Sequence, residues 1–189
     1  MGYYHYLTQK RDFTEKEWDL LKKIFKIALT IFPKRKKFFY SDYTKKEYVD
    51  IIIAGPDGKG TPIITDTLIL FNGTGDLGFE TAGYAKHKED NFSQYVKTDL
   101  LPYDELFSAM NALVSSLFDN IYIVNSDGDM KSNVPTSRWY KAYVFATKVL
   151  LATFGETHPL CIKVKELERS SVPYYDIFIS NLHFLYKFI

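Results

Sequence analysis

The run from Thr14 to Pro33 constrains the fold most. Thr14-Glu15-Lys16-Glu17 reads as a capping box, in which the Thr14 hydroxyl and the Glu17 carboxylate each take a backbone donor that a helix start leaves unpaired. Trp18, Leu21, Phe25, Ala28, Leu29 and Phe32 follow at spacings that share one helical face, while Asp19, Lys22, Lys23, Lys26 and Thr30 fall opposite. Pro33 disfavours a helical residue before it and ends the element near Phe32. A helix with one apolar stripe must lay that stripe on another layer, so the rest of the chain has to supply one.

Short β runs supply it. Gly2 to Thr8 is an aromatic strand, and Tyr48 to Ala54 is a strong β run carrying Val49, Ile51, Ile52 and Ile53. Gly55-Pro56-Asp57-Gly58-Lys59-Gly60 reads as a hairpin turn into a strand from about Ile63 to Phe71, which Asn72-Gly73 closes as a second hairpin-type turn. Phe79 to Tyr84 and Phe92 to Lys97 are further strand candidates. A second helix begins at Pro102, with Leu106, Met110, Leu113, Val114 and Leu117 on one face. Ile121 to Val124 is a short apolar strand, and Ser126-Asp127-Gly128-Asp129 is the turn after it. A third helix spans roughly Thr136 to Phe154, capped by Gly155, and the tail holds two strand-like runs, Leu160 to Lys165 and Tyr174 to Ile179. The expectation is one α+β domain over residues 1–189, an antiparallel sheet of four or more strands with about three packed helices, and a tail, 156–189, that is an added element.

The 189 residues include 15 Phe and 15 Tyr, enough large side chains for a substantial core at this length. Cys161 is the one cysteine, so neither an internal disulfide nor a cysteine zinc site can form. The first residues lack an apolar signal core, and Tyr6 stands where a myristoylation signal needs Ser or Thr. Lys22, Lys23 and Lys26 interrupt the longest apolar-rich stretch. These features point to a cytoplasmic chain without a membrane partner.

No catalytic set emerges. Asp127 and Asp129 sit where a strand ends and offer carboxylate oxygens of the kind Mg²⁺ favours, yet Arg138 stands where a calcium loop of this type needs Glu. The plainer reading is a turn in which Asp and Gly supply the geometry. The glycine-rich 55–60 segment lacks the Gly-Lys-Ser/Thr of a phosphate loop. His5, His87, His158 and His183 are never three or four residues apart, so no helical metal pair exists. The expectation is therefore no cofactor, no metal and no enzymatic activity.

Charge is the more informative signal. Residues 10–46 hold 12 Lys/Arg against 5 Asp/Glu, a balance of +7, and the remainder holds 12 against 18, or −6. Lys34, Arg35, Lys36 and Lys37 follow a helix whose polar face already carries Lys22 and Lys26, and Phe38, Phe39 and Tyr40 come next. Lysines interleaved with aromatics suit RNA, through phosphate neutralisation and base stacking, or a ribonucleoprotein. The competing reading has the lysines favouring a helix C-terminus and the aromatics entering the core.

Several short motifs occur in a familiar order: Gly2-Tyr3-Tyr4-His5-Tyr6, Thr14-Glu15 before Trp18, Phe71-Asn72-Gly73 before Glu80-Thr81, Lys97-Thr98 before Pro102-Tyr103-Asp104, and Ser126-Asp127-Gly128-Asp129. Over about residues 1–155 this set resembles a family of small accessory proteins carried by phages, prophages and plasmids. The resemblance implies action against host defence, and more remotely an anti-CRISPR protein aimed at an RNA-guided, RNA-targeting (type VI) effector. A non-enzymatic inhibitor that binds a host protein or ribonucleoprotein is thus the leading expectation. An RNA-binding accessory protein and a metal-dependent enzyme built on Asp127 and Asp129 are the alternatives.

Overall fold

A computed structural model describes residues 3–39, 46–90 and 95–180, with the backbone alone described at 35–39, 46–49 and 180. The first strand, β1 (Tyr4–Gln9), leads into helix α1 (Glu15–Ile31). The capping box forms as expected: Glu17 N–H donates to Thr14 Oγ1 at 3.3 Å, and Thr14 N–H donates to Glu17 Oε2 at 2.8 Å. Arg11 grips the same carboxylate with two nitrogens at 2.9 and 2.8 Å and reaches the Asp119 carbonyl, so the start of α1 is tied to the loop after a later helix. Trp18, Leu21, Ile24, Phe25 and Ala28 are buried, and the helix stops one residue before the phenylalanine that precedes Pro33.

Strands β2 (Arg35–Phe39) and β3 (Lys46–Asp50) pair antiparallel, then come β4 (Ile53–Ala54), β5 (Ile63–Ile64), β6 (Leu68–Gly73), β7 (Ala82–Ala85) and β8 (Tyr95–Lys97). Helix α2 (Asp104–Leu117), strand β9 (Tyr122–Ser126), helix α3 (Arg138–Phe154) and helix α4 (Pro159–Arg169) come next, followed by a wide π-type turn at Asp176–Ser180. The fold is α+β. One antiparallel sheet has the order β8-β1-β9, and in another β6 pairs antiparallel with β4, β5 and β7. From Leu106 to Leu117 every residue of α2 is buried, the mark of a helix enclosed on all sides, and it packs against α3, β9, α1 and the π-type turn. Buried side chains from Leu7 to Phe178 form one cluster. Among the described residues no helix is long and apolar enough to cross a membrane.

Four local readings need correction. The tail forms helix rather than strand. Leu160, Ile162 and Val164 alternate as a strand would, but Leu160, Cys161 and Val164 are the buried set and Ile162 is 46% exposed, which is helical spacing. Tyr174 to Ile179 is likewise helical turn, with Ile177 and Phe178 buried and the Phe178 ring stacked on Tyr143 at 5.7 Å. Asn72-Gly73 lies inside β6; the chain reverses later, at a 3₁₀ turn over Gly75–Leu77. Buried Asn72 organises that loop, its Oδ1 accepting the Gly73 and Phe79 N–H groups and its Nδ2 donating to the Phe79 carbonyl. The 55–60 loop is not a hairpin between paired strands, because β4 and β5 both pair with β6 instead of each other. Gly55 N–H donates to the Gly60 carbonyl and closes the loop; a Cβ on Gly55 would meet the Thr61 carbonyl at 2.4 Å.

The strand boundaries also shift. The expected 48–54 strand breaks after Asp50, where Ile51 turns inward and Ile52 outward, and the 63–71 strand breaks at Thr65, whose hydroxyl accepts the Thr67 and Leu68 N–H groups. Residues 79–81 precede β7 without joining it, and of the 92–97 run the described part is β8.

Candidate functional site

The basic residues singled out above lie along α1, just past its C-terminal end and on β2. Lys22 bridges Asp19 and Asp66 at 3.0 and 3.1 Å, and those two carboxylates raise its pKa. Lys26 is exposed on α1. Lys34 Nζ donates to the Leu29 carbonyl at 3.2 Å, a cation on the last carbonyls of a helix, where the macrodipole favours it. Arg35, Lys36, Lys37, Phe38 and Phe39 make up β2, in register with Asp50, Val49, Tyr48, Glu47 and Lys46 of β3. Tyr40 lies outside the described residues.

Asp127 and Asp129 are engaged in local backbone geometry. Asp127 Oδ2 accepts the Tyr4 N–H and Oδ1 accepts the Tyr6 hydroxyl, both at 3.1 Å, while its own N–H donates to the Tyr4 carbonyl at 3.0 Å. The carboxylate thus extends the β1–β9 pairing by one residue, and its hydrogen bond holds the Tyr6 hydroxyl above the ordinary phenol range. Asp129 Oδ1 accepts the Lys131 N–H at 3.1 Å. A Cβ on Gly128 would lie 2.1 Å from the Tyr3 hydroxyl, so any larger residue there needs the Tyr3 ring to shift. Among the described residues no three His, Cys, Asp or Glu side chains gather closely enough to hold a metal ion.

The surface that these turns frame is the outer side of β8-β1-β9. Side chains alternate across a strand, so His5, Leu7 and Gln9 point inward while Tyr4, Tyr6 and Thr8 point out. Register places Tyr95 opposite Tyr6 and Lys97 opposite Tyr4 on one flank, with Asn125 opposite Tyr6 and Ile123 opposite Thr8 on the other. Tyr95 is 66% exposed, Ile123 49% and Tyr6 41%; Phe79, beside β8, is 47% exposed. The Tyr4 and Tyr6 rings stack at 6.3 Å with 26° between their planes. Lys97 Nζ lies 4.5 Å from the centre of the Phe79 ring and 5.9 Å from that of Tyr4. Glu80 Oε2 accepts the Lys97 N–H at 2.5 Å, and the Tyr103 hydroxyl donates to the Glu80 carbonyl, so the segment bearing Phe79 is fastened to β8.

The inward side of β1 is anchored just as firmly. His5 Nε2 lies 2.7 Å from Asp104 Oδ1, the Thr98 hydroxyl donates to the same oxygen at 2.5 Å, and Ser108 Oγ is 3.5 Å from the histidine. His5, Thr98, Asp104 and Ser108 are closed to solvent. Burial alone would raise the Asp104 carboxyl, but hydrogen bonds from His5 and Thr98 outweigh it and hold the carboxyl below its ordinary value. Tyr3, Phe107 and Trp139 ring the imidazole edge-on. Burial, and then the Asp104 charge, push the Tyr3 phenol up to about 12. This cluster pins β1 to α2 and so fixes the strand whose other side carries Tyr4 and Tyr6. Histidine spacing along the chain gives no sign of it, because the partner is 99 residues away. The aromatic strand itself was legible, while the identity of its exposed face was set by register with β8 and β9.

Comparison of the chain with protein-family models, with curated proteins and with solved structures finds no match.

Proposed function

We propose that this chain is a non-enzymatic inhibitor carried by a mobile genetic element, which docks on an RNA-guided nuclease of host defence and blocks its engagement with guide or target. The observation that supports the reading is the outer side of β8-β1-β9, where Tyr6, Tyr95 and Ile123 stand exposed on a sheet anchored from behind, with exposed Phe79 beside β8. Tyrosine rings contribute large contact area at small conformational cost and are enriched at protein interfaces. A rigid sheet also presents them without an ordering penalty on association.

The test is inhibition itself. The purified full chain should stop target-RNA cleavage by the host's RNA-guided effector at near-stoichiometric ratio. The double substitution Tyr6→Ala and Tyr95→Ala should abolish that effect while the chain stays folded by circular dichroism. Reversing the lysine run (Lys34→Glu, Arg35→Glu, Lys36→Glu and Lys37→Glu together) distinguishes the two surfaces. Inhibition retained by the tyrosine double variant and lost on charge reversal returns the contact to β2 and sinks the sheet-face reading.

A further inference from the structure

The same sheet face joins two chemistries. Three tyrosine rings, Tyr4, Tyr6 and Tyr95, present π surfaces across paired strands, with Phe79 alongside. Two carboxylates border them: Asp127 just past β9, with Oδ1 on the Tyr6 hydroxyl, and Glu80 against the β8 backbone; Asp99 stands two residues past β8, and all three residues are exposed. Both flanking aspartates meet the backbone at the start of β1, Asp99 N–H donating to the Tyr3 carbonyl and Asp127 N–H to the Tyr4 carbonyl. Lys97 is the only lysine or arginine on the three strands, and its ammonium already lies over two of the rings.

That arrangement selects against a polyanion. A nucleic acid needs several cations to release its counterions, and this face offers one beside the carboxylates of Asp127 and Glu80. It selects for a cation, because ring faces attract guanidinium and ammonium groups and carboxylates pair with them. Resting on the docking reading above, we propose that the face receives an arginine- and lysine-bearing protein groove of the kind that holds single-stranded nucleic acid. It does so by imitating the strand, with rings where bases stack and carboxylates where phosphates sit.

Two probes test this on the ¹⁵N-labelled full chain: a peptide of Arg-Gly-Gly repeats and an oligothymidine. The peptide should shift the amide signals of Tyr4, Tyr6, Tyr95 and Lys97, and its binding should weaken steeply between about 50 and 200 mM salt, as charge pairing at an exposed surface does. Tyr6→Ala with Tyr95→Ala should weaken it about tenfold, as expected for the loss of two exposed cation–π contacts. Glu80→Gln with Asp99→Asn should weaken it and reduce its salt dependence. Oligothymidine binding at this face, peptide binding elsewhere, or binding of neither probe overturns the imitation. The docking reading fails on a different result, namely nuclease inhibition that survives the double tyrosine substitution.

Discussion

His5 Nε2 and Asp104 Oδ1 meet at 2.7 Å with neither side chain reaching solvent, across 99 residues of chain. A buried charged hydrogen bond of this kind is costly to break from one side, since the group left behind keeps its desolvation penalty. His5→Ala or Asp104→Ala should each destabilise the fold by about 3–5 kcal/mol, read from urea denaturation. The double variant should cost clearly less than the sum, because the second removal takes away an already orphaned partner. Strict additivity would mean that the two side chains stabilise independently.

The N-terminus of α1 gives a pH signature. Burial raises the Glu17 carboxyl, but the hydrogen bonds from Arg11 and Thr14 outweigh it and hold it below its ordinary value of 4.5. A carboxyl depressed in the folded chain contributes stability that is present above its unfolded pKa and lost as pH falls through the folded one. Stability should therefore decline from about pH 4.5 downward, on the acid side only. Glu17→Gln should flatten that decline in denaturation curves recorded across the acid range, leaving the neutral slope unchanged. An unaltered acid slope would assign the decline to other carboxyls.

Gly128→Ala should destabilise by about 1–3 kcal/mol, since the new methyl would overlap the Tyr3 hydroxyl and force a ring packed on His5 to shift. In a Tyr3→Phe background the cost should fall, because the nearest atom is then gone, though ring carbons at 2.9 Å keep part of it. Thermal denaturation of the four-member cycle reads this directly. An equal cost in both backgrounds would place the strain elsewhere in the turn.

What the chain order reveals and hides follows from the range of each interaction. Thr14, Glu17 and Pro33 act within a turn of one helix, and that helix forms within a residue of where they place it. Leu160 to Val164 satisfies both a period of two and a helical period, so the choice falls to the core, which takes Cys161 and leaves Ile162 in solvent. Asn72-Gly73 has turn chemistry, yet the Asn72 side chain spends it on Phe79, seven residues on. The lysine run was visible as composition, whereas the use of Lys34 on the Leu29 carbonyl depends on where α1 stops. Tyr4, Tyr6 and Tyr95 become a surface only once β1 and β8 are in register.

The placement of β1 also has a consequence for biosynthesis. Its neighbours in the sheet are residues 95–97 and 122–126, so neither can pair with it until about half of the chain has been made. At a synthesis rate of about 5–20 residues per second, the roughly 90 residues between these partners leave Tyr4, His5 and Tyr6 unpartnered for on the order of 5–18 s. Through that interval α1 and the β6 sheet can already be closing on each other, while β1 remains an open aromatic strand awaiting both of its neighbours.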